Sequence, residues 1–234
     1  MAEAMELKRE TASESLPAAL WKFASSSIGS KVVMAVTGLG LWFWFMAHLA
    51  GNLTVYLGHD TFNHYASALQ DNPPLLWGQR IALLLGFPIH IIAAIRTAQI
   101  NRAARPTPYA YASKAPATGA AKTMIISGLV LVAYIIFHLA HFTWRVTGPQ
   151  PTVHDPYNML VMGFQQPLIA ATYIGAMALL AAHLSHGIYS LFQHLGFWGS
   201  KWTPFLKKSA LLIGYGLCLA FASIPVSVQL GFIK

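Results

Sequence analysis

Residues 41–53 read LWFWFMAHLAGNL, an apolar run with one histidine, His48, set deep inside it. An imidazole at that depth in a membrane-spanning helix needs a partner, because the backbone carbonyls of its own helix are already engaged. The options are a side chain across a helix interface, a trapped water or a metal. Three more apolar stretches carry histidines in the same way, at His90, His138 and His183, with His141 and His186 one turn beyond two of them.

The composition agrees that these runs lie in a membrane. Of 234 residues 56% are hydrophobic and only 9% charged, with a mean hydropathy of +0.52, which leaves too few charges to cover a water-exposed surface. The seven acidic residues, Glu3, Glu6, Glu10, Glu14, Asp60, Asp71 and Asp155, all fall outside the apolar runs. The expected fold class is all-α, an integral membrane bundle of five transmembrane helices. Approximate spans are 30–57, 76–100, 119–144, 160–195 and 204–232, each long enough for a hydrocarbon core of about 30 Å, which takes about 20 helical residues.

Charge sets the expected topology. Twelve lysines and arginines flank the N-terminal ends or the even-numbered loops, whereas Arg80, Arg145 and Lys234 stand alone on the other side. The positive-inside rule therefore puts the N-terminus in the cytoplasm and the C-terminus outside. The net charge of +8 reads as this topology signal and not as a nucleic-acid surface. Residues 1–29 read as a polar cytoplasmic lead-in without signal-peptide character, and 30–232 as the membrane domain. The loop 101–122 is basic, holds three prolines and suits the docking of a soluble partner.

The histidines sort by depth. At about 1.5 Å of rise per residue, His48 and His138 lie roughly 25 Å along helices that start at the cytoplasmic side, while His90 and His183 belong to the inner half of helices that run back. Two levels result, each drawing one imidazole from each of two helices, the ligand set of two stacked bis-histidine haems. Gly38, Gly40, Gly51, Gly86, Gly128 and Gly175 would let a macrocycle approach the helices, though glycine also serves helix packing. Spacing leaves His141 and His186 open as substitutes for their neighbours. His59, His64 and His154 fall in outer loops, and His194, at the inner end of the fourth span, is a candidate to meet a haem propionate. The single cysteine, Cys218, and the lack of a C-x-x-C-H signature mean that any haem is held non-covalently.

Four stretches together carry a family resemblance: SSIGSKVVMAVTGL followed by HLAGNL; FNHYASALQDNPPLLWGQRIALLL running into HIIAAIRTAQINRAARPTPY; IIFHLAHFTW; and AAHLSHGIYSLFQHLG. From about residue 25 to the C-terminus the chain resembles the single-chain, di-haem cytochrome b membrane anchors of succinate dehydrogenase and fumarate reductase. The resemblance implies two haem b groups, the outer ligated by His48 and His138 and the inner by His90 and His183, and it favours these over His141 and His186. It implies a multi-pass subunit of the cell membrane within an oxidoreductase. Its partners would be a flavoprotein carrying FAD and an iron–sulfur subunit on the cytoplasmic face, with electrons passing to or from menaquinone and the dicarboxylate chemistry lying on another subunit. Quinone-site candidates are Asp71, His64, Asn63, Gln70 and Arg80; Asp71 is the best-placed carboxylate, although Asp71-Asn72-Pro73 also reads as a simple turn and cap.

Two rival readings remain at this stage. One is the di-haem anchor of another respiratory enzyme, of the nitrate reductase or formate dehydrogenase type. The other is a haem-free transporter or scaffold whose histidines relay protons, although such relays ordinarily include intramembrane carboxylates and the apolar runs contain none.

Overall fold

The structure, a computed structural model, describes residues 15–104, 119–197 and 199–234. Lys8, Arg9, Arg105, Lys114 and most of the proline-bearing loop lie outside the described residues. Eight α-helices make up the described chain, with no strand among them: α1 Leu16–Ser25, α2 Ser27–Leu53, α3 His59–Gln70, α4 Pro73–Ala103, α5 Gly119–His138, α6 Pro156–Gln165, α7 Pro167–His194 and α8 Thr203–Gln229. Five segments are long and apolar enough to cross a bilayer: Ser27–Leu57, Pro73–Ala103, Thr123–Thr143, Pro167–His194 and Thr203–Gln229. The expected five-span, all-α membrane architecture is therefore the observed one.

The fourth span differs from expectation. The run expected to begin at residue 160 is two helices, because Pro167 forces Gln166 into an extended conformation (φ −78°, ψ 113°) and breaks the chain there. Residues 156–165 form the separate short helix α6, which folds with α3 into a cap over one end of the bundle. The cap core joins Val55, Phe62, Tyr157, Leu160, Phe164 and Tyr173 to Ile224 and Val228 of α8.

Helix ends follow local chemistry. Ser26 opens α2 by accepting the Gly29 N–H at 2.9 Å, Asn72 opens α4 by accepting the Leu75 N–H at 3.2 Å, and Asp155 opens α6 by accepting the Asn158 N–H at 3.0 Å. The last turn after α5, Leu139–Thr143, is a π-turn closed by the Trp144 N–H on the Leu139 carbonyl at 2.7 Å. Such wide turns tend to sit where a side chain must be re-aimed.

The spans pack chiefly as α7 on α8 and α2 on α4. Small residues permit the first contact: Ala181, Ala210 and Cys218 are buried, and a Cβ at Gly214 would come within 2.9 Å of the Ser185 backbone nitrogen. At the opposite end from the cap, α1 is tied down by the Arg96 guanidinium, which donates to the Ser25 carbonyl at 2.9 and 3.1 Å. Its Leu16, Leu20 and Trp21 remain exposed, as do Leu84, Leu168 and Leu212 on the spans, the surface that lipid requires.

Candidate functional site

His48 and His138 meet below the cap. His48 leaves α2 one turn before its end and His138 is the last residue of α5 before the π-turn; their ring centres stand 5.9 Å apart with the planes at 85°. Trp44 stacks on His48 (4.8 Å, 13°), and the Asn52 side-chain amide approaches the same ring at 3.4 Å while donating to the His48 carbonyl at 2.8 Å. On the other ring, Nδ1 of His138 lies 3.3 Å from the Tyr173 hydroxyl of α7.

His90 and His183 occupy the second level. His90 is seventeen residues into α4 and His183 sixteen into α7, both counted from the cap side, which gives depths of about 25 Å for each. Nδ1 of His90 contacts Thr37 Oγ1 at 3.2 Å and the Met34 carbonyl at 3.1 Å, both on α2, while Nδ1 of His183 contacts Ser127 Oγ at 3.0 Å on α5. In each case the imidazole of a helix running from the cap leans on a helix running toward it.

The spacing of the His48–His138 pair suits a metal held between two imidazoles. An imidazole nitrogen sits roughly 2 Å from a bound metal, so the ring centres of two axial imidazoles stand about 6 Å apart, the spacing of His48 and His138. At the second level the Nδ1 atoms are engaged, so a metal bound to either ring would meet Nε2. Room beside these rings comes from glycine: a Cβ at Gly38 would reach 3.1 Å from His90 Cε1, and one at Gly128 would reach 3.6 Å from His183 Cε1. The other glycines expected to serve a macrocycle divide differently. Gly51 clears the Tyr65 ring, Gly86 lies near Leu41, and Gly40 and Gly175 face nothing within 4 Å. Among the described residues no group of three or more His, Cys, Asp or Glu converges on a common metal position.

The neighbouring histidines separate from these pairs. His141, on the π-turn, is fully buried in the cap, where its Nδ1 lies 3.1 Å from the Tyr173 hydroxyl and a Cβ at Gly148 or Gly163 would come within 2.7 Å of its ring. Its Nε2 has no hydrogen-bond partner. His186 turns to Ser190 of its own helix, Nε2 to Oγ at 3.0 Å. His194 ends α7, half-buried, eleven residues past His183.

A cavity of about 560 Å³ opens between the ends of α2 and α5, α3 and the start of α4, with His48 in its wall. Asn52, Gln70, Arg80, Arg145 and His154 supply polar groups to it, and Tyr65, Leu69 and Phe142 the apolar lining. The Gln70 amide lies 3.1 Å from His154 Nε2, and the Arg145 guanidinium donates to His154 Nδ1 at 3.2 Å. Arg145 holds a left-handed backbone (φ 58°), an uncommon conformation for a side-chain-bearing residue and one that marks a shaped site. Arg80 also sits 5.1 Å over the Trp77 ring.

Of the expected quinone residues, Gln70 and Arg80 line this cavity, whereas Asn63 and His64 line a smaller adjoining one of about 250 Å³. Asn63 is held in the cap, donating to Asp155 Oδ1 at 2.9 Å and accepting the Tyr157 N–H at 2.9 Å. Asp71 ends α3, exposed, and lines neither cavity. Arg145 and His154 were not among the expected site residues, since nothing in a loop sequence shows that it folds back over a helix end.

Asp155 organises the cap. Its carboxylate accepts from His59 Nε2 at 2.9 Å and from Asn158 Nδ2 at 2.6 Å besides the Asn63 amide and the Asn158 N–H. Burial pushes this carboxyl up, but the Asn158 N–H and the His59, Asn63 and Asn158 side chains outweigh it and hold it well below the usual carboxylate range. His59, beside Asp60 and Asp155, is raised above the ordinary imidazole value by its hydrogen bonds to those two carboxylates.

No curated protein and no solved structure matches the chain. Residues 98–224, just over half of the chain, match the family model described as succinate dehydrogenase/fumarate reductase transmembrane subunit. That match covers α5, α6 and α7 and most of α8, with the helices that carry His138 and His183 and the cap helix between them. Five membrane spans and a family assignment to a respiratory complex agree, and the chain belongs to the succinate dehydrogenase/fumarate reductase transmembrane subunit family.

Proposed function

We propose that the chain is the electron-conducting cytochrome b anchor of its complex, carrying two non-covalent haem b groups. His48 and His138 would hold the haem iron at the cap level, and His90 and His183 that at the second. The pairing of His48 with His138 across a helix interface, at the ring spacing of two axial ligands, is the observation that carries the reading. A bis-histidine haem supplies one-electron transfer with no open coordination position. The protein's part is to hold the four imidazoles, to pack Trp44 and Phe221 against His48 and Tyr173 against His138, and to join the upper level to the polar cavity at His48. His194, about three turns beyond His183, is the candidate to meet a propionate.

In this reading residues 1–29 are the cytoplasmic lead-in to a membrane domain spanning 30–232. The cap faces outward, as the lysine and arginine distribution supports, and the opposite end receives the iron–sulfur and flavoprotein subunits. The 560 Å³ cavity takes the quinone head group, of the menaquinone type, and Gln70, Arg80, Arg145 and His154 offer it hydrogen bonds. Electrons pass between the iron–sulfur subunit and this cavity by way of the four-histidine core.

Haem content of the purified complex tests the reading. A pyridine haemochrome assay should return two b haems per copy of this chain, together with flavin and an iron–sulfur polypeptide. A folded, gently isolated complex without a Soret band would overturn it and return the four histidines to structural or proton-handling roles.

A further inference from the structure

α2 and α5 carry the same unit at a constant offset: Met34, Thr37, Gly38, Leu39, His48 and Leu49 recur ninety residues on as Met124, Ser127, Gly128, Leu129, His138 and Leu139. The repeat is Met-x-x-[Ser/Thr]-Gly followed by nine residues and the cap-level histidine. Its C-terminal part supplies that histidine. Its N-terminal part faces a histidine of another helix, and it does so twice.

The hydroxyls behave alike. Thr37 Oγ1 donates back to the Val33 carbonyl at 2.7 Å, and Ser127 Oγ donates back to the Met124 carbonyl at 3.1 Å. A hydroxyl whose hydrogen stays on the helix backbone has a lone pair left for the ring that contacts it, His90 Nδ1 at 3.2 Å and His183 Nδ1 at 3.0 Å. For His90 a second contact fixes the direction of the bond: the Met34 carbonyl, 3.1 Å from the same Nδ1, only accepts, so that nitrogen carries the proton. The glycine that follows each hydroxyl lies at the ring edge, tightly at Gly38, where a Cβ would come 3.1 Å from His90 Cε1, and at ordinary contact distance at Gly128, 3.6 Å from His183 Cε1. The repeated histidines themselves lack this arrangement, since His48 is approached by the Asn52 amide and His138 by a phenol.

We propose that Ser127, and Thr37 together with the Met34 carbonyl beside it, are paired positioning groups that hold His183 and His90 in the Nδ1–H tautomer, so that both rings present Nε2, with its lone pair, as the metal-binding nitrogen. This rests on the haem reading above and assigns it an atomic device. An acceptor on the distal N–H raises the basicity of the ligating nitrogen, which favours the oxidised metal. The two hydroxyls would therefore tune the second level without touching the histidines of the first.

The test uses the whole complex with Thr37→Val and Ser127→Ala, alongside the conservative Thr37→Ser and Ser127→Thr. Haem per chain is measured by pyridine haemochrome, and the midpoint potential of each haem by redox titration in the visible spectrum. Ser127→Ala should move one of the two haems to a more positive potential by the equivalent of about tenfold in its oxidised-to-reduced ratio, ~59 mV for one electron, or loosen it by 10–100-fold, about the usual cost of losing an outer-shell partner; Thr37→Val, which leaves the Met34 carbonyl on His90, should act on the same haem in the same direction and by less. The other haem should stay in place, and the conservative variants should match the unsubstituted protein. Unchanged potentials and content in both non-hydroxyl variants would overturn the proposal, as would an equal shift of both haems. Should Thr37→Val fail to assemble, Ser127→Ala, the smaller change, decides by the same readings. A complex without haem before any substitution would sink the parent reading instead, so the two failures are told apart.

Discussion

The Tyr173 hydroxyl lies 3.3 Å from Nδ1 of His138, and the same oxygen lies 3.1 Å from Nδ1 of His141. One phenol from α7 thus serves both the last residue of α5 and the buried histidine of the π-turn. Tyr173→Phe keeps the ring packing against Phe164 and Tyr134 but removes the oxygen from two imidazoles. Leaving a buried polar group without its partner costs about 1–3 kcal/mol. Thermal unfolding in detergent should register a loss of that size. The visible spectrum and potential of the haem on His138 should shift while the other haem holds; an unchanged melt and spectrum would dismiss the phenol as a structural partner.

His183 and His186 are separated by their contacts more than by their spacing. His183 reaches Ser127 on another helix, whereas His186 is turned to Ser190 on its own. His183→Ala should remove one haem per chain and His186→Ala should keep both, as read by pyridine haemochrome. The reverse pattern would move the ligand by one turn.

The His59–Asp155 contact gives the cap a pH signature. His59 is raised in the folded state, so its contribution is complete below the unfolded imidazole value of about 6.5 and fades as pH rises through the folded one. Asp155 is lowered, so its contribution is present above the unfolded carboxylate value of about 4 and fades as pH falls through the folded one. Both therefore act together between about pH 4 and 6.5. The melting temperature of the unsubstituted protein should fall between pH 6 and 8 more steeply than that of His59→Asn. Because His59 is exposed the difference is small, and parallel slopes would mean that the pair adds nothing.

Much of this arrangement is legible in the sequence, and what is not has a physical cause. Five spans follow from the absence of charge in the apolar runs, and the depth of the four histidines follows from helical rise. The cap is only half legible: α3, HDTFNHYASALQ, has an apolar stripe at Phe62, Tyr65, Ala66 and Leu69, but nothing in the sequence shows what that stripe packs on, and α6 reads as the start of the fourth span until Pro167 breaks it. Arg145 and His154 reach the cavity through loop geometry, and no periodicity encodes that. The hydroxyl-glycine repeat at Thr37 and Ser127 was present in the sequence all along, but its contacts with His90 and His183 span 53 and 56 residues and become visible only in the fold.

Gly163 shows how little room His141 has. A Cβ there would come within 2.7 Å of two atoms of a fully buried imidazole that is also held by Tyr173. Gly163→Ala therefore overpacks the cap, a change that typically costs about 1–3 kcal/mol. Gly175→Ala, with nothing within 4 Å of its Cβ position, is the control. Thermal melts should separate the two; equal stability would mean that α6 yields to the methyl group without strain.

Arg145 and Asp71 bear on the same cavity in opposite ways. Arg145 lines it and donates to Gln150 Oε1 at 3.1 Å and to His154 at 3.2 Å, and Arg80 of α4 lines it too, so a quinone carbonyl bound there as proposed would meet cationic donors. Hydrogen bonds to charged groups contribute about 1.5–3 kcal/mol, which corresponds to roughly tenfold or more in binding. Arg80→Gln should raise the apparent KM for a soluble quinone analogue by that order while haem content stays at the unsubstituted level, and Arg145→Gln should do the same with some loss of order in the loop. Asp71 stands outside the cavity at the end of α3, so Asp71→Asn should leave turnover close to normal. Slowed turnover in Asp71→Asn with both arginine variants unaffected would move the quinone to the α3–α4 junction and restore that carboxylate as the proton donor.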